Sequence, residues 1–250
     1  MFHTAAFFQS VDPGNAFQAI PGVQDAAITV SGNDIRVPKP LPFVVGYGGV
    51  INDASLIRAE LQSPSLRATF NLDVEPLVQG KIFTNPQLFN IIIGNGVPVM
   101  PDESLNWFVQ SDPAAAAIHY GLVLLADAPL QPVKGNYYSI RATSAVTLVA
   151  GTWVNGPLTF LQVLPAGSYQ VVGMRARGTN LLAARLVFVG GTYRPGVPGV
   201  SAIGGLDNDY QRFGNMGVFG QFDNTTPPTV DCLGDTDAAQ SFIFDLIKVK

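Results

Sequence analysis

Apolar and polar residues alternate with a period of two at several places along this chain, and that pattern restricts what it can fold into more than any other feature. From Leu66 to Glu75, Leu66, Ala68, Phe70, Leu72 and Val74 alternate with Arg67, Thr69, Asn71, Asp73 and Glu75. Successive side chains of a strand point to opposite faces, so ten residues of this kind predict a strand with one buried and one wet face. Shorter segments repeat the pattern. Ile57, Ala59 and Leu61 oppose Arg58, Glu60 and Gln62; Val172, Met174 and Ala176 oppose Arg175 and Arg177; Leu182, Ala184, Leu186 and Phe188 oppose Arg185. Phe70, Leu72, Leu186 and Phe188 are therefore expected in the core, with Arg67, Asp73 and Arg185 outside it. Ile118–Ala126, Thr147–Val154 and Phe242–Val249 are apolar on both faces and are expected to be central or covered strands.

Turn formers break the chain at Asp12–Gly14, Ser31–Asp34, Ser63-Pro64, Gly94–Gly96, Pro165–Gly167 and Thr225–Pro228. Helical signals are short: Pro101-Asp102-Glu103 is expected to open a turn or two through Trp107, and Asp112-Pro113 with Ala114–Ala117 one turn. The class is all-β, a sandwich or barrel of many short strands.

Composition supports this and narrows the function. Charged residues are 13% of 250, about half the usual share, and Gly (26) with Pro (19) make 18% against roughly 12% on average. So few charges suit a surface that meets other subunits rather than water. A net charge of −4 lacks the basic balance of a protein held on nucleic acid by counterion release, so no sequence-specific nucleic-acid partner is expected. No apolar run approaches a transmembrane helix, and the start has no basic region of a secretory signal. Phe2, Phe7 and Phe8 are expected to dock on a neighbouring subunit, on this subunit's own core, or on lipid. One cysteine, Cys232, forbids an intramolecular disulfide.

The chain reads as two similar halves, residues 1–126 and 137–250, joined by a polar linker at 127–136 carrying Pro129, Pro132 and Gly135. Pro40, Leu41 and Phe43 precede Leu56–Gln62 and then Leu66–Val74. Pro157, Leu158 and Phe160 precede Tyr169–Arg177 and then Leu182–Phe188. Both halves close on Asp, alanines and an apolar strand, the first with Ile118, Tyr120, Leu122 and Leu124, the second with Phe242, Phe244 and Leu246.

Residues carrying enzyme chemistry do not assemble into a set. His119 lies in an apolar strand and reads as structural, His3 sits at the end of the chain, and Cys232 with His119 forms no motif. Gly199–Gly204 is one residue off a nucleophile elbow around Ser201, with no helix after it. No catalytic residues and no cofactor are expected. Asp207 and Asp209, in a Gly-rich loop, are the candidate calcium ligands. The segment Gly190–Pro228 holds nine glycines between Gly190 and Gly220 yet also many aromatics. Ordering it costs backbone entropy, so it is expected to pack across a subunit interface, with Tyr210, Phe213 and Phe219 as anchors and Arg194 and Arg212 at the polar rim.

The order of segments resembles the double jelly-roll major capsid proteins of tailless icosahedral viruses, which often contain a membrane. The residues that carry the resemblance are Asn33–Lys39, Arg58–Arg67, Leu164–Tyr169 before Val171–Gly173, Ala184–Phe188 before Arg194–Gly196, and Phe219–Phe222 before Pro227–Val230. The resemblance implies two tandem jelly-roll β-sandwiches, a homotrimer of pseudo-hexagonal outline, and a closed shell of trimers. It further implies a minor vertex protein as partner, an internal lipid membrane reached through the N-terminal arm, and a virion location after assembly in the host cytoplasm. The alternative reading is a carbohydrate-binding, lectin-like spike or attachment module, for which Trp107, Trp153, Tyr193 and Tyr210 are the candidate exposed aromatics.

Overall fold

A computed structural model describes residues 1–9, 15–51, 56–65, 72–74, 89–91, 96–111, 119–200, 213–214, 217–235 and 239–249. Apart from helical Pro64 and Ser65, these residues are strands, turns and connecting loops. The chain divides into two compact units, Ala5–Pro129 and Met1–Thr4 with Leu130–Lys250. The division after Pro129 falls within 127–136, but the first four residues count with the C-terminal unit.

The first unit is built from β1 (Phe2–Gln9, of which the part from Ala5 belongs to this unit), β2 (Gln18–Ile20), β3 (Thr29–Ser31), β4 (Asp34–Arg36), β5 (Phe43–Ile51), β6 (Leu56–Gln62), β7 (Leu72–Val74), β8 (Phe89–Ile91), β9 (Val97–Pro98), β10 (Ser104–Ser111) and β11 (His119–Ala126). One sheet runs β1-β11-β5-β8, with β9 also on β5; the other runs β3-β4-β10-β6-β7, with β2 also on β10. The second unit contains β12 (Tyr137–Ser144), β13 (Val154–Gly156), β14 (Thr159–Phe160), β15 (Ser168–Gly178), β16 (Leu181–Val187), β17 (Gly196–Val200), β18 (Phe213–Gly214), β19 (Gly220–Asp223), β20 (Thr229–Gly234) and β21 (Gln240–Lys248). Its strands run β13-β20-β16-β17-β15-β21-β12-β14, with β18 and β19 also on β15. β17 joins the two halves of that sheet, pairing antiparallel with β16 and parallel with β15.

The two units repeat one pairing order. The first unit pairs β1-β11-β5-β8, and the second pairs β12-β21-β15 with β18 and β19 in the place of β8. The first also pairs β4-β10-β6-β7, and the second β13-β20-β16-β17. The offset is uniform over three strands: Phe43 to Ser168, Leu56 to Leu181, and Ser104 to Thr229 are each 125 positions. The equivalent of Leu56–Gln62 is therefore Leu181–Val187, not Tyr169–Arg177. The expected correspondence is shifted by one strand through the middle of the chain and holds at its closing strands.

Burial follows alternation where one face is wet. In β10, Leu105, Trp107 and Val109 are buried while Ser104, Asn106, Phe108 and Gln110 are partly exposed. Trp107 fills the space between the two sheets of the first unit, stacked on Phe7 of β1 at 6.4 Å. A Cβ on Gly121 of β11 would lie 2.2 Å from its indole. β11 is buried at every residue, as expected of a strand apolar on both faces. Phe2, Phe7 and Phe8 are buried in the chain itself, the second of the three sinks expected for them.

Four expectations are corrected. Pro101-Asp102-Glu103 opens no helix: a turn with Asp102 at φ 62° leads into β10, whose period-two alternation overrides the helix-start signal. Thr147–Val154 is not a central strand. A tight turn at Ala150-Gly151, with Gly151 at φ 68° and a bridge between Val149 and Thr152, reverses the chain there. Phe188 lies beyond the end of β16 and is half-buried, whereas Leu186 is fully buried. Arg185, expected on a wet face, has no exposure. Phe70 and Arg67 lie outside the described residues, as does all but 72–74 of the Leu66–Glu75 segment. For Leu72 and Asp73 only the strand backbone is described.

Glu103 ties the start of β10 to the turn after β6. Its carboxylate accepts hydrogen bonds from the Ser65 hydroxyl at 2.6 Å, the Ser65 amide, and the Met100 amide at 2.8 Å. Burial alone would raise its pKa; the bonds from Ser63, Ser65 and Met100 outweigh that and hold it below the usual value. A carboxylate whose folded pKa is lowered stabilises the fold above its unfolded pKa, about 4.3, and that contribution is lost as pH falls through the folded value. Glu103→Gln should therefore lower the urea midpoint at pH 7, with the gap to the parent protein closing as pH falls below the ordinary Glu range. A gap that is constant or widens on acidification contradicts this. Gly121→Ala should destabilise the first unit by about 1–3 kcal/mol by forcing the Trp107 indole off its seat, read from the same titration at pH 7.

Candidate functional site

Two ionic residues stand alone in otherwise apolar strands of the second unit, and ladder register puts them side by side. β16 reads Leu-Leu-Ala-Ala-Arg-Leu-Val, and β20 reads Thr-Val-Asp-Cys-Leu-Gly. Arg185 is directly opposite Asp231 in the β16–β20 pair, and Asp231 is opposite Asn155 in the β13–β20 pair. Cross-strand partners share a face, so Asn155, Asp231 and Arg185 form one row. The next position in the row, on β17, is Gly196. A Cβ there would come within 2.4 Å of the Arg185 Cβ, so the row can close only on a residue without a side chain.

Arg185 Nε donates to Asp231 Oδ2 at 3.0 Å, and Arg194 Nη1 donates to the same oxygen at 2.7 Å. Asn155 Nδ2 donates to Asp231 Oδ1 at 2.8 Å. The Arg185 guanidinium lies over the Trp153 ring, 3.9 Å from its centroid. One buried carboxylate thus faces two guanidiniums, and an aromatic face supplies further negative potential.

This node holds the beginning of the chain. Arg185 Nη1 donates to the Thr4 carbonyl at 3.0 Å, and the Thr4 amide donates to the Arg194 carbonyl at 2.9 Å. The Arg194 amide donates to His3 Nδ1 at 3.2 Å, and the His3 ring meets Tyr193 edge-on at 5.9 Å. Phe2 packs on Phe219 at 5.5 Å. The arrangement is a clamp: charge-assisted bonds and ring contacts fix Phe2–Thr4 to β16, β20 and the loop before β17.

Of the residues singled out as interface anchors, Phe219 is buried within its own unit, against Phe2. Arg194 is partly exposed and paired with Asp231. Phe213 contributes backbone to β18, opposite Met174. Tyr210, Arg212, Asp207 and Asp209 lie outside the described residues, as does Ser201. Among the described residues no group of three or more His, Cys, Asp or Glu could hold a metal. His119 is buried in β11 and Cys232 in β20, in different units. Of the aromatics considered as exposed sugar platforms, Trp107 has no exposure, and Trp153 is partly exposed with the Arg185 guanidinium over one face of its ring. Tyr193 is half-buried, and Tyr210 lies outside the described residues.

Asp231 and Asn155 were not singled out from the sequence. The available signal was a single charge inside an apolar run, twice over: a buried charge needs a partner, and Arg185 and Asp231 are of opposite sign. Asp231→Asn should remove the carboxylate that the two guanidiniums share and cost about 3–5 kcal/mol in urea unfolding. It should also make the bond after Phe2 or Phe8 cleavable by chymotrypsin under native conditions. A cost below about 1 kcal/mol with an uncleaved N-terminus contradicts the clamp.

No family model matches this sequence, and no curated protein matches it. Among solved structures, the crystal structure of the major capsid protein P2 from Bacteriophage PM2 aligns over 99% of this chain and 98% of that chain, at 9% identity and a TM-score of 0.24. A TM-score of that size does not establish a shared fold.

Proposed function

We propose that both units are jelly rolls and that the chain is a double jelly-roll capsid subunit, which trimerises and tiles an icosahedral virion shell. The observation that carries this reading is the repeated pairing order. In each unit the first strand pairs with the last, the last with the third and the third with the sixth, while the second, seventh, fourth and fifth form the other group. Here β2–β4 count as one second strand, β8 with β9 as the sixth, and in the second unit β18 with β19. Two Greek keys wound together give this order, and a chain that carries it twice has two similar building blocks in one subunit. Three such chains around one axis present six similar blocks, the outline needed to tile hexagonally.

Composition supports the same reading. A charge content of 13% is economical only when much of the surface is covered by other copies. The chain acts through its surfaces and carries no catalysis in this account. It resides in the virion.

Sedimentation velocity at micromolar concentration should show a species of three times the chain mass, with larger closed particles at higher concentration or at higher salt, which screens the repulsion between chains of net charge −4. A monomer that stays monomeric across that range contradicts the proposal.

A further inference from the structure

The outward face of β10 carries a second built site, within the first unit. Ser104, Asn106 and Phe108 point away from the core on alternate positions. Asp34 of β4 flanks them on one side. Gln62 of β6 flanks them on the other, directly opposite Asn106, and the Ser63-Pro64 turn forms a wall. Together they line a cavity of about 360 Å³, within the range of small-molecule sites. Glu103 fixes the wall through its bonds to Ser65, so the cavity is held open by the fold.

Its polar groups are already oriented. Asp34 Oδ1 accepts from Asn106 Nδ2 at 2.6 Å, and Oδ2 accepts from the Ser104 hydroxyl at 2.9 Å. A carboxylate has about four acceptor positions, so two remain. With its Nδ2 turned to Asp34, Asn106 has a defined amide orientation and presents Oδ1 as an acceptor. Ser104 spends its proton on Asp34 and presents lone pairs. Arg36 lies 3.7 Å from Asp34, so the charge of the carboxylate is balanced beside the cavity. The apolar wall is Pro64 and Phe108. The Phe108 ring is itself braced by Phe17 at 5.3 Å, and Phe17 is covered by the Arg58 guanidinium at 4.3 Å.

The geometry points to a binding site for a neutral hexopyranose, free or at the end of a glycan. Such a ring presents adjacent hydroxyls, each a donor and an acceptor, which match a fixed carboxylate–amide–hydroxyl row. It also presents a patch of C–H groups that packs on an aromatic or proline face. Charge balance between Asp34 and Arg36 gives neither an anion nor a cation an advantage, which favours a neutral ring over an acidic sugar. This site is separate from the N-terminal clamp and does not depend on the assembly proposed above.

The test is saturation-transfer NMR on the full chain in its native oligomeric state, with methyl galactoside, methyl glucoside, N-acetylglucosamine and 3′-sialyllactose offered separately at millimolar concentration. At least one neutral hexose should receive saturation at its ring protons. Its Kd should rise tenfold or more in Asp34→Asn, which keeps the shape and removes the charge, and in Phe108→Ala, which removes the platform. Circular dichroism and thermal melting identify a variant that has lost its fold, and the other variant then decides. Saturation of no neutral hexose, saturation of sialyllactose alone through its acidic residue, or a Kd unchanged in the folded variants overturns the assignment.

Discussion

The pairing of the first strand of each unit with its last is the constraint on which the rest depends. β1 meets β11 and β12 meets β21 across the full length of their units. Such contacts close long loops before they contribute, so they are entropically expensive and slow to form. Once made, they place β11 and β21 in the interior of their sheets, between β1 and β5 and between β12 and β15. His119–Ala126 is also buried at every residue, so both faces of β11 are covered, as its mostly apolar sequence requires. Most of Gln240–Lys248 is likewise buried.

Enclosure on both faces also explains the ionic clamp. β16 is buried from Leu181 through Leu186. A charge in such a strand has no water to turn to, so Arg185 is compatible with the fold only because register places Asp231 beside it. Replacing a buried ion pair with well-packed apolar residues is often neutral or stabilising, so the net stability of Arg185 and Asp231 is not their evident contribution. Their evident contribution is geometric. A guanidinium with one edge on Asp231 and another on the Thr4 carbonyl accepts only one placement of the N-terminal residues, and a methyl or phenyl group would accept several.

Several elements were legible because period-two alternation needs only one wet face. β6 was expected over Leu56–Gln62 and is observed with those bounds. β15 shows the inward Val172, Met174 and Ala176 and the half-buried Arg175 and Arg177 that its pattern implies. The same rule misread Arg185, because alternation around an arginine presumes solvent on its side of the strand. It also shifted the internal comparison. Tyr169–Arg177 and Leu182–Phe188 both alternate, so alternation alone does not decide which is the counterpart of β6; the ladder order does, and it is β16. β10 was missed because a Pro-Asp-Glu start resembles a helix N-terminus, although Leu105, Trp107 and Val109 already marked a strand. The candidate sugar site was not legible: Asp34, Gln62 and Asn106 are far apart in sequence, and only the β4-β10-β6 order makes them neighbours.

The central claim is that two similar rolls in one chain serve a closed shell. Cryo-electron microscopy of the particles formed by the purified chain tests it most directly. The account predicts capsomers of three chains with six similar lobes, each lobe fitted by one eight-stranded roll. Capsomers with three undivided lobes, or no particles at any concentration that keeps the protein in solution, would contradict it.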